Sequence, residues 1–181
     1  NEGCTVSCPE CECDEYRLVK VAGEKDKELI YRVGNKNKHK STLEHLVYTF
    51  DIDGISRACL QEVARHRMAS YSVKSTRYTL KELKDEDLNF KENNGEADKF
   101  LVRTCDDRLD YGKRDALVRV QVALLGGLAN DKAKYMLPEA YKTSLVLTVN
   151  ARSLQNFLEL RTSNSALWEI QMLSDALYQA I

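Results

Sequence analysis

Two strand-like segments constrain the fold most, because they lie far apart in the chain and most residues between them recur at helical spacing. In residues 46–53 (LVYTFDID) apolar and more polar residues alternate, which indicates a half-buried strand that ends at Asp53–Gly54. Residues 144–150 (SLVLTVN) are apolar on both faces and predict a second, fully buried strand. The sequence therefore predicts an α+β fold, in which helices cover a small, mostly antiparallel sheet.

Helical periodicity and turn signals divide the rest of the chain. The predicted helices are residues 24–38, with a break at Gly34, then Ile55 up to residue 65, about 96–129, 131–137, 153–161 and 165–180. Residues 79–95 are polar and contain Asn-Asn-Gly, so we predict a surface loop there. Cys59 and Cys105 lie in helical apolar patterns, where free cysteines are usually core residues.

Length and charge limit the classes of protein that this chain can represent. Its 181 residues are enough for one domain with a real core, and a net charge of −1 provides no global basic field for nucleic-acid binding. No apolar run approaches the ~20 residues that span a bilayer, and residues 1–23 lack the apolar core of a signal peptide. We expect a cytoplasmic protein with neither a membrane nor a nucleic acid as partner.

Four cysteines crowd the start of the chain, which we treat as a divergent segment, residues 1–23, ahead of a domain at 24–181. The cysteines are Cys4, Cys8, Cys11 and Cys13. The first three have the spacing of a radical-SAM cluster, but the chain lacks the length and the strand–helix alternation of that barrel. Four thiolates can close a zinc site, but no second Cys-x2-Cys arm follows. Metal binding and a disordered or artefactual end both stay open, and we assign no metal site.

The most polar motif is residues 65–78 (RHRMASYSVKSTRY), which holds three arginines, a histidine, a lysine and three serines. It follows an apolar helix, so its cations complement the dipole at a helix C-terminal turn. Arginine grips a phosphate or an imide edge at two points. The chain has neither a Gly-x-Gly-x-x-Gly nor a P-loop sequence, and no activated cysteine is evident. Solvated charge, a nucleic-acid patch and a nucleotide pocket therefore remain alternatives for this motif.

Two further segments carry polar residues next to the predicted strands. In residues 150–161 (NARSLQNFLELR), the apolar residues are assigned to the core. The polar residues that are not assigned to it include Asn150, Arg152, Asn156 and Arg161. They form either a polar wall beside a ligand or a helix start capped by Asn150 with two solvated arginines. Residues 39–45 (HKSTLEH) precede the first strand, where His45 either belongs to a site or satisfies a backbone group.

The three motifs together resemble those of flavin-dependent thymidylate synthases. Arg-His-Arg at 65–67, followed after seven residues by Ser-Thr-Arg-Tyr at 75–78, resembles the signature of that family. HKSTLEH is similar to its histidine–hydroxyl segment, and NARSLQNFLELR is similar to its C-terminal flavin and nucleotide segment. The motifs occur in the family's order, and the likeness extends over about residues 24–181.

The resemblance implies an activity and an assembly. It implies that dUMP is methylated to dTMP with 5,10-methylenetetrahydrofolate as carbon donor, and that NADPH reduces a bound FAD. It also implies a homotetramer that binds FAD between subunits. The alternative from another class is a non-catalytic nucleotide- or RNA-binding domain that uses the basic motif as a phosphate clamp.

The resemblance also assigns residues, position by position. The implied flavin contacts are His39, Ser41, Arg65, His66, Arg67, Val73, Asn150, Ala151, Arg152 and Asn156. The implied dUMP contacts are Glu62, Arg65, Val73, Lys74, Ser75, Thr76, Arg77, Lys134 and Arg161. Arg161 matches the catalytic arginine that polarises the pyrimidine so that its N3 proton is lost, and a fixed guanidinium there would stabilise the developing charge. The chain departs from the family pattern at Ser72 and Val73, where many members have Asn and Glu, and at Glu62, where glutamine is common.

Overall fold

The computed structural model describes residues 23–86 and 97–181, which form a three-stranded sheet and the helices that pack against it. The strands are β1 (Val47–Ser56), β2 (Ala69–Val73) and β3 (Lys142–Asn150). The α-helices are α1 (Glu24–Ile30), α2 (Arg57–Val63), α3 (Thr76–Asp85), α4 (Asp107–Leu125), α5 (Asn130–Ala133), α6 (Ala151–Arg161) and α7 (Trp168–Gln179). A π-helix (Tyr31–Lys36) continues α1, and 3-10 helices occupy Lys40–His45 and Lys134–Met136. The four N-terminal cysteines lie outside the described residues.

The sheet confirms the predicted fold class. Its strand order is β1-β3-β2, and both pairings are antiparallel. The prediction that β1 ends at Asp53–Gly54 is wrong, because the strand continues to Ser56 through a bulge. Gly54, at φ +78°, supplies the left-handed backbone that this bulge needs.

Among the residues that the structure describes, helices cover one face of the sheet, so the prediction that β3 is buried on both faces is wrong. Leu145, Leu147 and Val149 are buried, whereas Val146 between them is 40% exposed. The buried side chains of β3 pack with those of β1, α2, α6 and α7 in the main hydrophobic core. Cys59 lies in this core, as predicted, and burial raises the pKa of its thiol well above its usual range.

A buried carboxylate joins α7 to the junction between β1 and α2. Glu169 is 5% exposed and accepts hydrogen bonds from the backbone N of Ser56 (2.7 Å) and from its Oγ (2.5 Å). The same Ser56 Oγ accepts from the backbone N of Cys59 (2.9 Å) and so caps α2. Burial raises the pKa of Glu169, although its two hydrogen bonds to Ser56 oppose the shift.

Two elements that follow the Arg-His-Arg segment at the end of α2 differ from the prediction. Residues 69–73 form β2 rather than part of a turn, because Ala69 and Tyr71 face the core while the strand pairs with β3. Residues 76–85 form α3 rather than a loop, and this helix buries Leu80 and Leu83. Residues 87–95 of the predicted loop lie outside the described part.

The predicted long helix over 96–129 is shortened to α4 by an extended stretch before Asp107. Cys105 in that stretch is exposed at φ +54°, so the prediction that it is a core residue is wrong. The buried face of α4, with Leu117, Val120 and Leu124, packs against α3 in a second core cluster. Within the described ranges, no helix combines the length and the apolarity needed to cross a bilayer.

Candidate functional site

A cavity of about 780 Å³ opens where β3 runs into α6, beside the segment that joins α2 to β2. It brings together many of the polar residues that the sequence singled out, over a floor of core side chains. The predicted residues that line it are Arg65, His66, Arg67, Asn150, Arg152, Asn156 and Arg161. Its apolar lining includes Leu147, Val149, Leu154 and Phe157.

The start of α6 is fixed by a local signal. Asn150 is the N-cap of the helix, and its side chain accepts a hydrogen bond from the backbone N of Ser153 (2.8 Å). The capping alternative for Asn150 is thus confirmed, yet the residue also lines the cavity. Because Leu154 and Phe157 are buried and Arg152 and Asn156 are exposed, the first turns of α6 present both apolar and polar side chains to the cavity.

The Arg-His-Arg segment is held in place by a tyrosine from β2. The hydroxyl of Tyr71 donates to the carbonyl oxygen of His66 (2.5 Å) and lies 3.0 Å from that of Val63. Burial raises the pKa of the Tyr71 phenol, which keeps it protonated as a donor. The imidazole of His66 packs against the Phe157 ring, with 4.6 Å between ring centroids.

Among the described residues that line the cavity, Arg161 donates the most side-chain hydrogen bonds, which are three. Its Nε donates to His66 Nε2 (2.9 Å), its Nη1 to Glu62 Oε2 (2.7 Å), and its Nη2 to the Glu62 carbonyl oxygen (3.2 Å). The Arg161 side chain is 15% exposed, whereas that of Arg65 is 71% exposed. The solvated-charge alternative is therefore wrong for Arg161.

The surroundings of His66 favour the neutral form of its imidazole. Burial lowers its pKa first, the positive charges of Arg161 and Arg65 lower it further, and Glu62 opposes them. A neutral ring can leave Nε2 unprotonated, and that is the atom to which Arg161 donates.

Arg152 links the cavity to the HKSTLEH segment through an ion pair with Glu44. Glu44 also lines the cavity. The 3-10 helix that carries Glu44 buries Leu43 against the backbone of Gly34, where an added Cβ would lie 2.3 Å from Leu43 Cδ2. A glycine at position 34 thus lets the π-helix approach this segment closely.

Several predicted residues do not line the cavity. His39 and Ser41 are exposed at the 3-10 helix, and the backbone N of the buried Ala151 donates to the Leu46 carbonyl oxygen (2.8 Å). Lys134 is exposed, with its Nζ 5.6 Å from the ring centroid of Tyr135. None of these residues is among those that line the cavity.

The predicted phosphate-binding residues gather at the opposite end of β2. Ser75 caps α3, and its side chain accepts from the backbone N of Arg77 (3.4 Å). Lys74 pairs with Glu82 at 3.2 Å. The five residues of β2 separate this group from the Arg-His-Arg end by about 16 Å at ~3.3 Å per residue. Within one chain, the two halves of the basic motif therefore lie at different places.

Three residues that shape the cavity were not predicted from the sequence. Glu44 lies inside the HKSTLEH motif. Its negative charge could have indicated an arginine partner, and in the structure that partner is Arg152. Tyr71 alternates with serines, which is a strand pattern inside a segment predicted as a turn. Phe157 was predicted as a core residue only, and its contact with His66 had no signal in the sequence.

The composition of the cavity suits a large anionic ligand with planar rings. Apolar side chains line its floor, and arginine forks and amides surround them. The volume lies in the range of about 300–1,000 Å³ that is typical of cofactor sites.

Comparisons with known proteins agree on one family. A family model described as thymidylate synthase complementing protein matches residues 5–181. The flavin-dependent thymidylate synthase of Wolinella succinogenes is 62% identical over 160 residues, which cover 88% of this chain and 78% of that protein. The Helicobacter pylori enzyme of the same name is 53% identical over 163 residues, with coverage of 88% and 78%.

A solved structure agrees at the level of the fold. Thymidylate synthase X of Helicobacter pylori, crystallised with FAD and dUMP, superposes with a TM-score of 0.81 at 51% identity. The match covers 88% of this chain and 78% of that one. By its motifs, its fold and these similarities, the chain belongs to the flavin-dependent thymidylate synthase family.

Proposed function

We propose that the chain catalyses the reductive methylation of dUMP to dTMP, with 5,10-methylenetetrahydrofolate as carbon donor and NADPH as reductant through FAD. The observation that carries the proposal is the cavity between β3, α6 and the Arg-His-Arg segment, which gathers predicted flavin residues around Arg161. The relative solved with FAD and dUMP has the same fold and supports both ligands.

The hydrogen-bond donors and cations that line the cavity are suited to the proposed FAD. Arg65, Arg67 and Arg152 supply cations for the pyrophosphate, and the amides of Asn150 and Asn156 offer hydrogen bonds to ring or ribose atoms. Apolar side chains on the floor of the cavity provide flat contact for a ring system. FAD, when bound, supplies the hydride-transfer chemistry, while the protein orients the reactants and excludes water.

Arg161 is the proposed catalytic residue. Loss of the N3 proton places negative charge on the pyrimidine and makes its carbon more nucleophilic. A guanidinium that is 15% exposed and already held by neighbouring groups stabilises such charge without reorganising first. This route needs no enzymatic thiol, and the buried thiol of Cys59, whose pKa is raised, is unsuited to that role.

We propose that Lys74, Ser75, Thr76 and Arg77 bind the dUMP phosphate for a neighbouring subunit. The start of α3 offers backbone N–H groups, a hydroxyl and cations, which together suit a phosphate. Since β2 separates this end from the cavity of the same chain by about 16 Å, one chain does not bring both to one ligand. A second copy would complete the site.

A homotetramer with shared flavin sites accounts for these positions. The side chains of Leu109, Tyr111, Val122 and Leu125 on α4 are each more than half exposed, as expected for a helix that another subunit covers. His39, Ser41, Val73 and Lys134 lie on the surface, where they can reach a site that a neighbour completes. Light scattering is expected to give the mass of four chains, and a stable monomer would contradict shared sites.

An Arg161→Ala variant tests the proposed chemistry. The variant is expected to keep bound flavin, seen in its visible absorption spectrum, and to lose dTMP formation by two or more orders of magnitude. Arg108→Ala is the matched control, because the Arg108 side chain is 90% exposed and pairs with Asp106 at the start of α4. Retained turnover in Arg161→Ala would remove Arg161 from the mechanism, and a wild-type protein with no affinity for FAD would refute the function itself.

A further inference from the structure

The guanidinium of Arg161 is held by acceptors on three sides. Of its five N–H groups, three are engaged: one with His66 Nε2, one with Glu62 Oε2 and one with the Glu62 carbonyl oxygen. These contacts tie the end of α6 to α2 and to the residues that follow it. Two N–H groups remain for a ligand in the cavity that Arg161 lines.

The contact with His66 works in one protonation state only. Nε2 accepts from Arg161 when the ring is neutral and its proton is on Nδ1, and the protonated ring offers no acceptor. The groups that face this imidazole are Arg161 and Phe157 from α6, Glu62 from α2 and the neighbouring Arg65. Two cations beside one carboxylate favour the neutral ring, which agrees with the geometry.

Glu62 contributes two acceptors that differ in kind. Its carbonyl oxygen is fixed by the backbone of α2, whereas its carboxylate is charged and also lies 3.4 Å from Arg65 Nη1. A glutamine at this position would keep a hydrogen bond from the charged Arg161 but would lose the attraction between two opposite charges. Glu62 is not among the residues that line the cavity, and its side chain is 30% exposed beside the 15% exposed Arg161.

We propose that Glu62 and His66 are positioning residues, which fix the guanidinium of Arg161 in one orientation so that its two remaining N–H groups face the substrate. The inference rests on the proposed role of Arg161 and differs from the direct dUMP contact implied for Glu62 by family resemblance. Glu62 acts through Arg161 and does not touch the pyrimidine.

Nitrogen-15 NMR of the histidine rings tests this arrangement without any turnover. The chain has three histidines, so single His39→Gln and His45→Gln variants suffice to assign the signals of His66. At pH 7 the His66 ring is expected to carry its proton on Nδ1 and to titrate below the usual value of about 6.5. A protonated Nε2, or a ring that is charged at pH 7, would overturn the proposal whether or not the protein makes dTMP.

The carboxylate is tested by comparing Glu62→Ala with Glu62→Gln. Loss of the side-chain acceptor in Glu62→Ala is expected to lower kcat by on the order of 10–100-fold and to speed solvent exchange of the Arg161 Nε–H, with FAD content unchanged. Glu62→Gln is expected to retain kcat within about tenfold. A Glu62→Ala variant that raises only the KM for dUMP, with slow Nε–H exchange, would show direct substrate contact and refute positioning.

The pH dependence gives a readout that a merely structural role would not move. Glu62 raises the pKa of His66, so removing its charge in Glu62→Gln is expected to shift the acidic limb of the kcat profile to lower pH. The matched control is Glu159→Gln, which removes the same charge from an exposed position on α6 and is expected to leave the limb unmoved. A limb that stays in place or rises in Glu62→Gln would count against the proposal.

Discussion

Replacing Gly34 by alanine is expected to disturb the HKSTLEH segment through a single contact. The new Cβ would lie 2.3 Å from Leu43 Cδ2 and 2.8 Å from its Cγ, against ordinary carbon–carbon contacts of about 3.5–4.0 Å. Leu43 is 1% exposed and cannot swing into solvent, so the 3-10 helix that carries it must move. That helix also carries Glu44, the partner of Arg152, so we expect weaker FAD binding as well as lower stability.

The magnitude follows from two opposing effects. Overpacking a well-filled site costs about 1–3 kcal/mol, while glycine to alanine in a compatible helical conformation gains about 0.4–1 kcal/mol. The net destabilisation by Gly34→Ala is therefore about 0–2.6 kcal/mol, centred on about 1.3 kcal/mol. In a Leu43→Ala background the clash is absent, so the same substitution is expected to be neutral or stabilising. The coupling energy of the pair is then on the order of 2 kcal/mol.

Urea denaturation of the four proteins in this cycle, at one protein concentration, measures the coupling energy. Gly112→Ala is the matched control, because a Cβ there meets nothing within 4 Å in the middle of α4. Gly112→Ala is expected to stabilise the protein by about 0.4–1 kcal/mol. If Gly34→Ala stabilised the protein to the same extent, or if the cycle showed no coupling, the close approach of Gly34 and Leu43 would be refuted.

Substitutions at two other positions test the framework around the site. Burial raises the pKa of Glu169 above its value in the unfolded chain. The stabilisation that this residue gives the folded state is therefore fully present below pH 4.5, and it is lost as the pH rises through the pKa of the folded state. As the pH is raised from 4.5, the free energy of unfolding of the wild type should therefore fall relative to that of Glu169→Gln. The difference should be about 1.4 kcal/mol for each unit by which the pKa of Glu169 is higher in the folded than in the unfolded state. If the two free energies changed in parallel with pH, this linkage would be excluded. Asn150→Ala removes the N-cap of α6 and should cost about 1 kcal/mol in urea denaturation, whereas Asn150→Asp should restore most of it; equal stability of all three proteins would argue against the cap.

Local signals were enough to predict the elements next to the cavity. The start of α6 follows from an asparagine after an apolar strand, and both long strands follow from their apolar content. The missed strand β2 has only five residues, so its alternating pattern is short, and its pairing partner β3 lies far along the chain. Helix α3 was missed for a related reason, since its apolar residues become a buried face only within the second core cluster, to which α4 and α5 contribute.

The motifs predicted several residues that line the cavity, but they did not predict what those residues contact. Family resemblance pointed to Arg161, but its partners Glu62 and His66 depend on where α2 and α6 end in space. No spacing in the sequence brings these ends together. For Lys74 and its neighbours the sequence suggested one continuous site, whereas the extended backbone of β2 separates them from the cavity.

The strand order β1-β3-β2 also sets the order of events in folding. β1 and β2 are near one another in the chain but do not pair, and each must wait for β3 at residues 142–150. During synthesis, neither strand can find its ladder partner until β3 has left the ribosome. Closing such long loops is entropically slow, so the sheet and the cavity at its end are expected to form late and together. Until the sheet has formed, the apolar faces of β1 and α2 are exposed to solvent and can aggregate.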